Sequence, residues 1–340
     1  MSSSDDRTVG SERVIIPPRL QRGDTVRVVA PARSRAMVVE GHDRSELINQ
    51  RFEELGLRLS FGDHVDERDD FDSSTITSRV EDLHAAFADP NVNAVLTVIG
   101  GFNSNEILPY LDWDLIAANP KIFCGFSDIT ALQNAILART GLITYTGPHW
   151  SSFGMRDHFE QTLAWFVQAL FGDSTIEVQP ARSWTDDLWF IDQVDRHPLP
   201  NAGWWPLRPG DAIGRLVGGN LCTFNLLQGG DYRPTLDGAM LLVEDDDRSL
   251  PTDFARDLTS LLQVPDAASL AGLIIGRFQR RSGMTRELLQ EILSRQPALD
   301  RVPVLANVDV GHTSPILTLP IGGTAELRTS HHHSSLRILR

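Results

Sequence analysis

The chain has 340 residues and a formal net charge of −14, from 31 basic and 45 acidic side chains. That sign argues against binding of a nucleic acid over a broad surface, because a phosphate backbone needs a basic face. Hydrophobic residues make up 41% and charged residues 22%, which is typical of a globular protein and excludes a disordered or collagen-like one. The length allows two packed domains.

The cysteines and the N-terminal residues indicate the cell compartment. Cys124 and Cys222 lie far apart in apolar sequence, which predicts buried reduced thiols and no structural disulfide. The N-terminal residues contain Asp and Glu where a signal peptide needs a basic stretch and an apolar core. No window approaches the roughly 18 uninterrupted apolar residues of a membrane span. We therefore expect a cytoplasmic protein with no membrane contact.

In the first half of the chain, short apolar runs alternate with stretches of helical spacing. The segment GDTVRVVAPA contains the first predicted strand. Further strands are predicted at 57–61, 94–99, 122–125 and 142–145, and helices at 46–55, 79–87 and 129–137. This alternation predicts a parallel sheet covered by helices on both faces.

The regular pattern fails between residues 179 and 209, a segment with four tryptophans and five prolines. So long an irregular stretch predicts a functional loop or a linker. Beyond it, strands are predicted at 212–217, 239–243, 273–275 and 302–306, and helices at 221–227, 253–262 and 286–293. We therefore divide the chain into an N-terminal domain (1–170), a tryptophan-rich interdomain loop (171–210) and a smaller C-terminal β/α domain (211–340).

The segment 121–130 carries the first candidate for chemistry, an apolar strand that enters a helix through Gly125, with Ser127 two residues later. This pattern is typical of a nucleophile elbow, where a sharp strand-to-helix turn lifts a serine hydroxyl above the sheet. The amide of Asp128 would then help to hold a developing oxyanion. The alternative is that Ser127 only caps the helix. Cys124 is a rival nucleophile, but its place inside the apolar run favours a structural role.

A glycine pair, Gly100 and Gly101, ends another apolar run and precedes Phe-Asn-Ser-Asn. Adjacent glycines at the carboxyl end of a parallel strand allow a ligand to approach the backbone closely. Gly101 is therefore a candidate for the second oxyanion amide. The alternative is a tight turn that requires glycine, with Asn103 or Ser104 capping the next helix.

Acidic residues follow the strand AMLLVE, which runs into Glu244-Asp-Asp-Asp-Arg248. A carboxylate at a strand end can orient a catalytic imidazole, and Arg248 can bind a substrate carboxylate through two hydrogen bonds. The three aspartates also allow a divalent metal site, although a solvated acidic loop is commoner.

His312 follows Gly311 in the loop after another apolar strand, which we expect to lie next to the Glu244 strand. A serine hydroxyl needs an imidazole to accept its proton and a carboxylate to fix the imidazole tautomer. We therefore predict a triad of Ser127, Glu244 and His312, shared between the two domains, with the active site at their interface. This chemistry requires no metal and no organic cofactor. A lone loop histidine is otherwise a surface residue.

These segments together resemble the LD-carboxypeptidase family of serine peptidases. The resemblance runs through GDTVRVVAPA, IGGFNSNEILPYLDWDLI, FCGFSDITAL, RLVGGNLCT, LLVEDDDR and GHTSPILTLPIG. It implies an α/β fold with a Rossmann-like N-terminal domain, a C-terminal β/α domain and a homodimer. It also implies Ser127 as nucleophile, completed by Glu244 and His312, and an oxyanion hole formed by the amides of Gly101 and Asp128.

The turn Gly-Gly-Phe-Asn-Ser-Asn is similar to that of the microcin C immunity branch of this family, whereas the cell-wall branch usually carries a Gly-Gly-Tyr-Gly type of turn. The resemblance implies that a nucleobase stacks on Trp184, or on Trp189 as second choice, and that Arg248 pairs with an acidic group. Stacking on an indole is worth about 1 to 3 kcal/mol per base. The alternative is that these tryptophans only pack the loop. The implied substrate-binding residues are Trp184, Trp189, Asn220, Arg248, Asn103 and Ser104.

We predict a serine amidase that hydrolyses the amide between an acidic aminoacyl group and a nucleotide-like moiety. Its partner would be a small peptidyl- or aminoacyl-nucleotide, and its role resistance to microcin C-like or aminoacyl-sulfamoyl-adenylate antibiotics. The second candidate is a murein LD-carboxypeptidase that cleaves peptidoglycan tetrapeptides, against which the Trp-rich loop and the Asn-Ser-Asn turn count. The third is a non-catalytic nucleotide-binding protein, which has no need of all three triad residues.

Overall fold

A computed structural model of the chain describes residues 14–172, 175–330 and 333–339. Its strands form a six-stranded sheet, an eight-stranded sheet and a small two-stranded ribbon. The strands are β1 (Thr25–Val29), β2 (Arg58–Phe61), β3 (Ala94–Thr97), β4 (Ile122–Gly125), β5 (Thr144–Thr146), β6 (Thr175–Val178), β7 (Ser183–Trp184), β8 (Leu199–Pro200), β9 (Trp205–Arg208), β10 (Gly210–Asn220), β11 (Ala239–Glu244), β12 (Gly272–Gly276), β13 (Val304–Val308), β14 (Leu319–Ile321), β15 (Thr324–Thr329) and β16 (Ser334–Leu339).

Helices cover both sheets. They are α1 (Arg35–Val39), α2 (Ser45–Leu55), α3 (Ile76–Ala88), α4 (Trp113–Ala118), α5 (Thr130–Thr140), α6 (Glu160–Leu170), α7 (Leu221–Asn225), α8 (Pro251–Leu262) and α9 (Arg286–Ser294). The boundaries follow local chemistry: the Thr75 hydroxyl accepts the amide of Ser78 at the start of α3, and Gly56 ends α2 in the left-handed conformation. None of the helices in the described part of the chain is long and apolar enough to cross a membrane.

The first sheet has the order β14-β5-β4-β3-β1-β2 and is parallel except for β14. Every residue of β3, β4 and β5 is buried, as the continuous apolar runs predict for a parallel sheet covered on both faces. The second sheet has the order β6-β16-β15-β10-β11-β12-β13-β9, and only β10 to β13 are mutually parallel. The predicted α/β class with a parallel first sheet and a second β/α unit is confirmed.

The division of the chain between the sheets differs from the predicted ranges. β14 comes from the C-terminal part of the chain but pairs antiparallel with β5 of the first sheet. β6 and β9 come from the segment expected to be a linker, yet they form the two edges of the second sheet. The C-terminal unit therefore has the larger sheet, whereas a smaller C-terminal domain was predicted. The prediction was wrong because pairing between distant segments leaves no local pattern in the sequence.

Helix α5 lies between the two units and joins them. The side chain of Asn134 makes a reciprocal pair of hydrogen bonds with the backbone of Gly218 in β10, each 2.9 Å long. The Thr130 hydroxyl accepts the amide of Asn220 at 2.9 Å. Gly219 has φ +138, and a Cβ there would lie 2.5 Å from Thr130 Oγ1. The Gly-Gly-Asn segment is therefore a close contact between the two units, next to the end of β4.

Candidate active site

The turn after β4 holds Ser127 in a strained conformation. Ser127 has φ +60, which a non-glycine residue adopts only when its surroundings impose it. A short 3₁₀ turn over Ser127–Ile129 then leads into α5. Gly100 packs directly against this turn, since a Cβ there would lie 3.0 Å from Ser127 Cβ and 3.1 Å from Oγ. The nucleophile-elbow geometry predicted for this segment is therefore present.

Two hydrogen bonds connect Ser127 to a histidine and a carboxylate of the second unit. His312 Nε2 lies 3.0 Å from Ser127 Oγ, and His312 Nδ1 lies 2.8 Å from Glu244 Oε2. Because an ionised carboxylate only accepts, Nδ1 carries the proton in the neutral ring and Nε2 accepts the serine hydroxyl. The structure thus brings together the three residues of the predicted triad, with the geometry of a serine hydrolase.

The route by which His312 reaches Glu244 differs from the prediction that their strands are neighbours. β12 lies between β11, which ends at Glu244, and β13, which precedes His312. The loop after β13 crosses the end of β12 at Gly276, where a Cβ would lie 2.5 Å from Val310 O and 2.7 Å from Glu244 Cβ. A glycine at this strand end therefore lets the histidine loop approach the carboxylate.

The charges around His312 favour its protonated form. Burial by itself would lower the pKa of His312, but the facing Glu244 carboxylate, with smaller contributions from Asp246 and Asp245, raises it to about 9. Asp245 is 3% exposed, and its Oδ2 has no hydrogen-bond partner among the described residues. Burial, and secondarily the charge of Glu244, raises the pKa of Asp245 to about 7. The base is thus set in a strongly acidic environment.

His149 is a site residue that was not predicted from the sequence. It is 2% exposed, its Nδ1 lies 2.9 Å from Thr97 Oγ1, and its ring stacks on Phe126 at 4.2 Å between centroids. The Phe126 ring in turn contacts His312 at 5.3 Å. Burial, and secondarily the His312 charge, lowers the pKa of His149 to about 3, so this ring stays neutral. Its position just after a predicted strand, in Thr-Gly-Pro-His, was the available signal.

The two candidate oxyanion amides lie beside Ser127. Within the described part of the chain, the Gly101 amide donates no hydrogen bond, so it is available to a ligand. Asp128 is 2% exposed, and burial raises the pKa of its carboxyl group. Its Oδ2 accepts the Ser104 amide at 2.9 Å, and its carbonyl accepts the Ser104 hydroxyl at 2.6 Å. The glycine turn, which runs from Gly100 to Asn105, is therefore hydrogen-bonded to the turn that carries Ser127.

Asn103 and Ser104, which we expect to bind substrate, make hydrogen bonds within the protein. Asn103 Oδ1 has no hydrogen-bond partner among the described residues, so substrate binding by Asn103 stays a prediction. Asn103 is 6% exposed; its Nδ2 donates to Ser73 Oγ at 3.1 Å and its carbonyl accepts Arg79 Nη1 at 2.9 Å. Ser104 is fully buried against Asp128. Neither side chain caps the following helix, which was the alternative role for this motif. Their contacts hold Gly101 in place.

Asn220 lies beside Glu244 on the second unit, and Arg248 follows Glu244 in the loop after β11. Asn220 pairs with Glu244 in the β10–β11 register, and its Oδ1 caps α7 by accepting the amide and hydroxyl of Thr223. Arg248 is exposed, and its guanidinium has no partner among the residues described. Cys124 is fully buried and burial raises the pKa of its thiol, which supports the structural role predicted for it. Cys222 was also predicted to be buried, but it is exposed on α7.

The two candidate tryptophans face different cavities. Trp184 in β7 lines one of about 360 Å³, and the Arg277 guanidinium lies 4.9 Å from its ring centroid. Trp189 lines an apolar cavity of about 220 Å³ and lies 5.7 Å from the Arg44 guanidinium. One face of Trp184 is therefore covered from inside the protein, and any stacking ligand must use the other.

Known proteins resemble the whole chain. Residues 26–147 match the family model of the LD-carboxypeptidase N-terminal domain, and residues 213–327 match that of the C-terminal domain. The Bacillus subtilis protein YocD, named as a carboxypeptidase, is 45% identical over 91% of this chain and 94% of its own. The Escherichia coli microcin C7 self-immunity protein MccF is 33% identical over 78% of this chain and 80% of its own.

Solved structures agree with these matches. An MccF-like protein from Bacillus anthracis has a TM-score of 0.94 at 45% identity, covering 96% of this chain and 99% of its own. MccF in complex with aspartyl sulfamoyl adenosine has a TM-score of 0.85 at 28% identity, covering 96% and 98%. The family resemblance inferred from the sequence motifs is therefore confirmed by the sequence matches and by the solved structures. This chain belongs to the LD-carboxypeptidase family of serine peptidases.

Proposed function

We propose that the protein is a serine amidase that cleaves the amide between an acidic aminoacyl group and a nucleotide-like moiety. The observation that carries the proposal is the hydrogen-bonded sequence Ser127, His312 and Glu244 beside the free Gly101 amide. The nucleotide part rests on MccF, which has been solved with aspartyl sulfamoyl adenosine and with glutamyl sulfamoyl guanosine. Such a reaction would destroy microcin C-like or aminoacyl-sulfamoyl-adenylate antibiotics.

The mechanism follows from the positions of the groups. Ser127 Oγ attacks the amide carbonyl while His312 Nε2 accepts the hydroxyl proton, and Glu244 stabilises the imidazolium that forms. The amides of Gly101 and Asp128 donate to the tetrahedral oxyanion. His312 then protonates the leaving nitrogen, so that the acyl-enzyme forms and the nucleotide part departs. Water deprotonated by His312 hydrolyses the ester and restores Ser127.

The murein LD-carboxypeptidase function is the second candidate. A Bacillus subtilis protein named as a murein peptide carboxypeptidase is 32% identical over 92% of this chain, about as similar as MccF. The same triad would cleave the amide before a terminal D-alanine. The Trp-rich loop, in which Trp184 is half-buried and lines a cavity, favours the nucleotide substrate, because stacking on an indole selects a planar base and has no counterpart in a muropeptide.

One comparison of substrates tests both functions. We expect the purified protein to hydrolyse aspartyl- and glutamyl-sulfamoyl adenosine, and Ser127→Ala to lower kcat by at least about 10³-fold, since removal of a triad member typically costs this much or more. Release of the sulfamoyl nucleoside is followed by chromatography. Turnover of a murein tetrapeptide alone would reject the nucleotide substrate. Equal rates for wild type and Ser127→Ala would reject the serine mechanism.

We propose further that the protein acts in the cytoplasm as a homodimer and needs no metal or organic cofactor. The dimer and the serine chemistry rest on the family resemblance, and the location on the two cysteines, which are both free. Size-exclusion chromatography with light scattering measures the molar mass and so tests the dimer. Full activity after extensive treatment with a chelator is expected if the reaction needs no metal.

A further inference from the structure

Arg33 lies beside the glycine that we assign to the oxyanion hole. It follows β1 in the loop Pro31-Ala32-Arg33-Ser34, at the carboxyl edge of the first sheet. An ideal Cβ built on Gly101 would lie 3.3 Å from Arg33 Cγ and 3.3 Å from Arg33 N. Gly100, one residue earlier, makes the corresponding approach to Ser127. Ser127 and Arg33 therefore lie on the two neighbouring glycines of one turn, Ser127 against Gly100 and Arg33 against Gly101.

No contact within the described part of the protein accounts for the position of the Arg33 guanidinium. Its Nε is buried and has no hydrogen-bond partner, and no carboxylate among the described residues forms an ion pair with it. Arg35, two residues later, pairs with Asp66 and lies 4.3 Å from the ring of Phe61. A buried donor without an acceptor is costly, and such groups in native proteins call for a functional reason.

The backbone that carries Arg33 is held on both sides. The Ser73 hydroxyl donates to Ala32 O at 2.6 Å, and the Ser34 amide donates to Asp72 O at 2.8 Å. Asn103, from the glycine turn, donates to the same Ser73 oxygen. The positions of Arg33 and Gly101 are therefore coupled through shared contacts, so the guanidinium stem is fixed relative to the oxyanion hole before any ligand arrives.

We propose that Arg33 binds an anionic group of the substrate close to the scissile amide. This deepens the proposed function and rests on it. Both candidate substrate classes carry anions at such places: the sulfamoyl or phosphoryl group, or the D-alanine carboxylate, borne by the leaving nitrogen, and the side-chain carboxylate of the acyl residue. Arginine suits all of them, since its planar donors match the paired oxygens of carboxylate, sulfamoyl and phosphoryl groups.

The exposed Arg248 belongs to the other unit, after β11, and Arg33 to the first. A substrate bound at Ser127 would therefore meet one unpaired guanidinium from each side of the interface. A molecule with two anionic groups would be held by both arginines, and one with a single anion by only one of them. Arg33 is in this sense a specificity-determining residue, because it selects for charge next to the bond that is cut.

Binding to catalytically silent protein tests the proposal without turnover. In a Ser127→Ala background, we expect Arg33→Met to weaken glutamyl-sulfamoyl adenosine at least about 10-fold by titration calorimetry, a factor typical of a lost charged hydrogen bond. Arg33→Lys should recover part of this loss. The matched control is Arg58→Met, which removes an exposed arginine from β2 and should leave affinity unchanged. Thermal melting establishes that each variant is folded.

Neutral analogues identify the anion. Glutaminyl-sulfamoyl adenosine lacks the side-chain carboxylate, and a glutaminyl amide of 5′-amino-5′-deoxyadenosine lacks both anions. If Arg33→Met still weakens the first analogue, Arg33 binds the leaving-group anion; if the effect vanishes there, Arg33 binds the acyl carboxylate. Equal weakening of the fully neutral compound, or no weakening of any compound, overturns the proposal.

Turnover by the wild-type protein distinguishes a failure of the proposed function from a failure of the role proposed for Arg33. If wild type cleaves none of the sulfamoyl compounds or tetrapeptides, the proposed function fails whatever Arg33 does. If wild type cleaves them and Arg33→Met has unchanged KM, the proposed function stands and the role of Arg33 is rejected. In the supporting case, Arg33→Met raises KM about 10-fold with kcat nearly unchanged, as loss of uniform binding requires.

Discussion

Ser127, His312 and Glu244 meet because three local features, each small, act together. Ser127 has a left-handed backbone, Gly100 leaves room for it, and Gly311 brings the histidine loop to within contact of Glu244 Oε2. A Cβ on Gly311 would lie 2.4 Å from that oxygen. The chemistry of the site therefore depends on two glycines as much as on the three reactive side chains.

The acidic surroundings of His312 predict an alkaline pH profile. A general base must be neutral, and the pKa of His312 is raised to about 9, so kcat/KM should fall as the pH drops below that value. Asp245→Asn removes one of the nearby negative charges. We expect it to lower the pKa of His312 and move the acid limb of the profile toward neutral pH.

The pH dependence of kcat/KM on a sulfamoyl substrate measures this shift. Asp247→Asn is the matched control, because Asp247 lies in the same loop, pairs with the exposed Arg281 and does not contribute to the shift at His312. A limb that stays in place in Asp245→Asn, or moves equally in Asp247→Asn, would contradict the electrostatic explanation.

At the scale of elements, the ends of β12 and β13 hold the loop that carries Trp184. Arg277 Nη2 lies 2.8 Å from Asp309 Oδ1, and both residues are almost fully buried. Asp309 Oδ2 accepts the amide of Ala181 at 3.0 Å, so the same carboxylate binds the tryptophan loop. The Arg277 guanidinium also lies over the Trp184 ring. The tryptophan is thus placed by a buried ion pair of the second sheet.

Removal of one partner of this pair should affect stability and substrate binding together. Arg277→Met leaves Asp309 buried and uncompensated, which typically costs about 3 to 5 kcal/mol in the free energy of unfolding. We also expect a higher KM for nucleotide substrates, because Trp184 loses its support. Denaturant titration and steady-state kinetics measure the two effects.

The exposed pair between Arg295 and Glu291, at the end of α9, offers the control for this experiment. Both side chains are more than half exposed, so Arg295→Met should cost about 0 to 1 kcal/mol. If Arg277→Met were no more destabilising than Arg295→Met, the buried pair would have no structural role of the kind inferred.

At the scale of the whole molecule, the site exists only where the two units meet. Helix α5, which begins just after Ser127, is buried against β10, and β10 pairs with β11, which ends at Glu244. β14 adds a strand from the C-terminal part of the chain to the first sheet. These contacts fix the distance between the nucleophile and the residues that activate it.

Gly219→Ala tests this dependence. Its φ of +138 and the 2.5 Å approach to Thr130 Oγ1 mean that a methyl group must push the units apart. We expect a loss of more than about 2 kcal/mol in the free energy of unfolding, from overpacking and backbone strain together. Activity should fall as well, because Ser127 and His312 belong to different units.

Gly229→Ala is the control that distinguishes the effect of backbone strain from the effect of pushing the two units apart. Gly229 also has a positive φ, +80, but nothing lies within 4 Å of a Cβ there. It should lose only the roughly 1 kcal/mol of a positive-φ glycine and keep full activity. Equal effects of the two substitutions on kcat/KM would show that the close contact at Gly219 does not position the triad.

The sequence by itself determined the α/β class and the core strands, and it predicted the triad of Ser127, Glu244 and His312, because buried strands and strand-to-turn junctions leave local patterns. Only the tertiary structure decided that β14 joins the first sheet, that β12 separates the strands of Glu244 and His312, and that Ser104 is buried against Asp128. It also placed Arg33 beside Gly101, and His149 against Phe126, which contacts His312. These features depend on contacts between residues distant in the chain, which no local periodicity encodes.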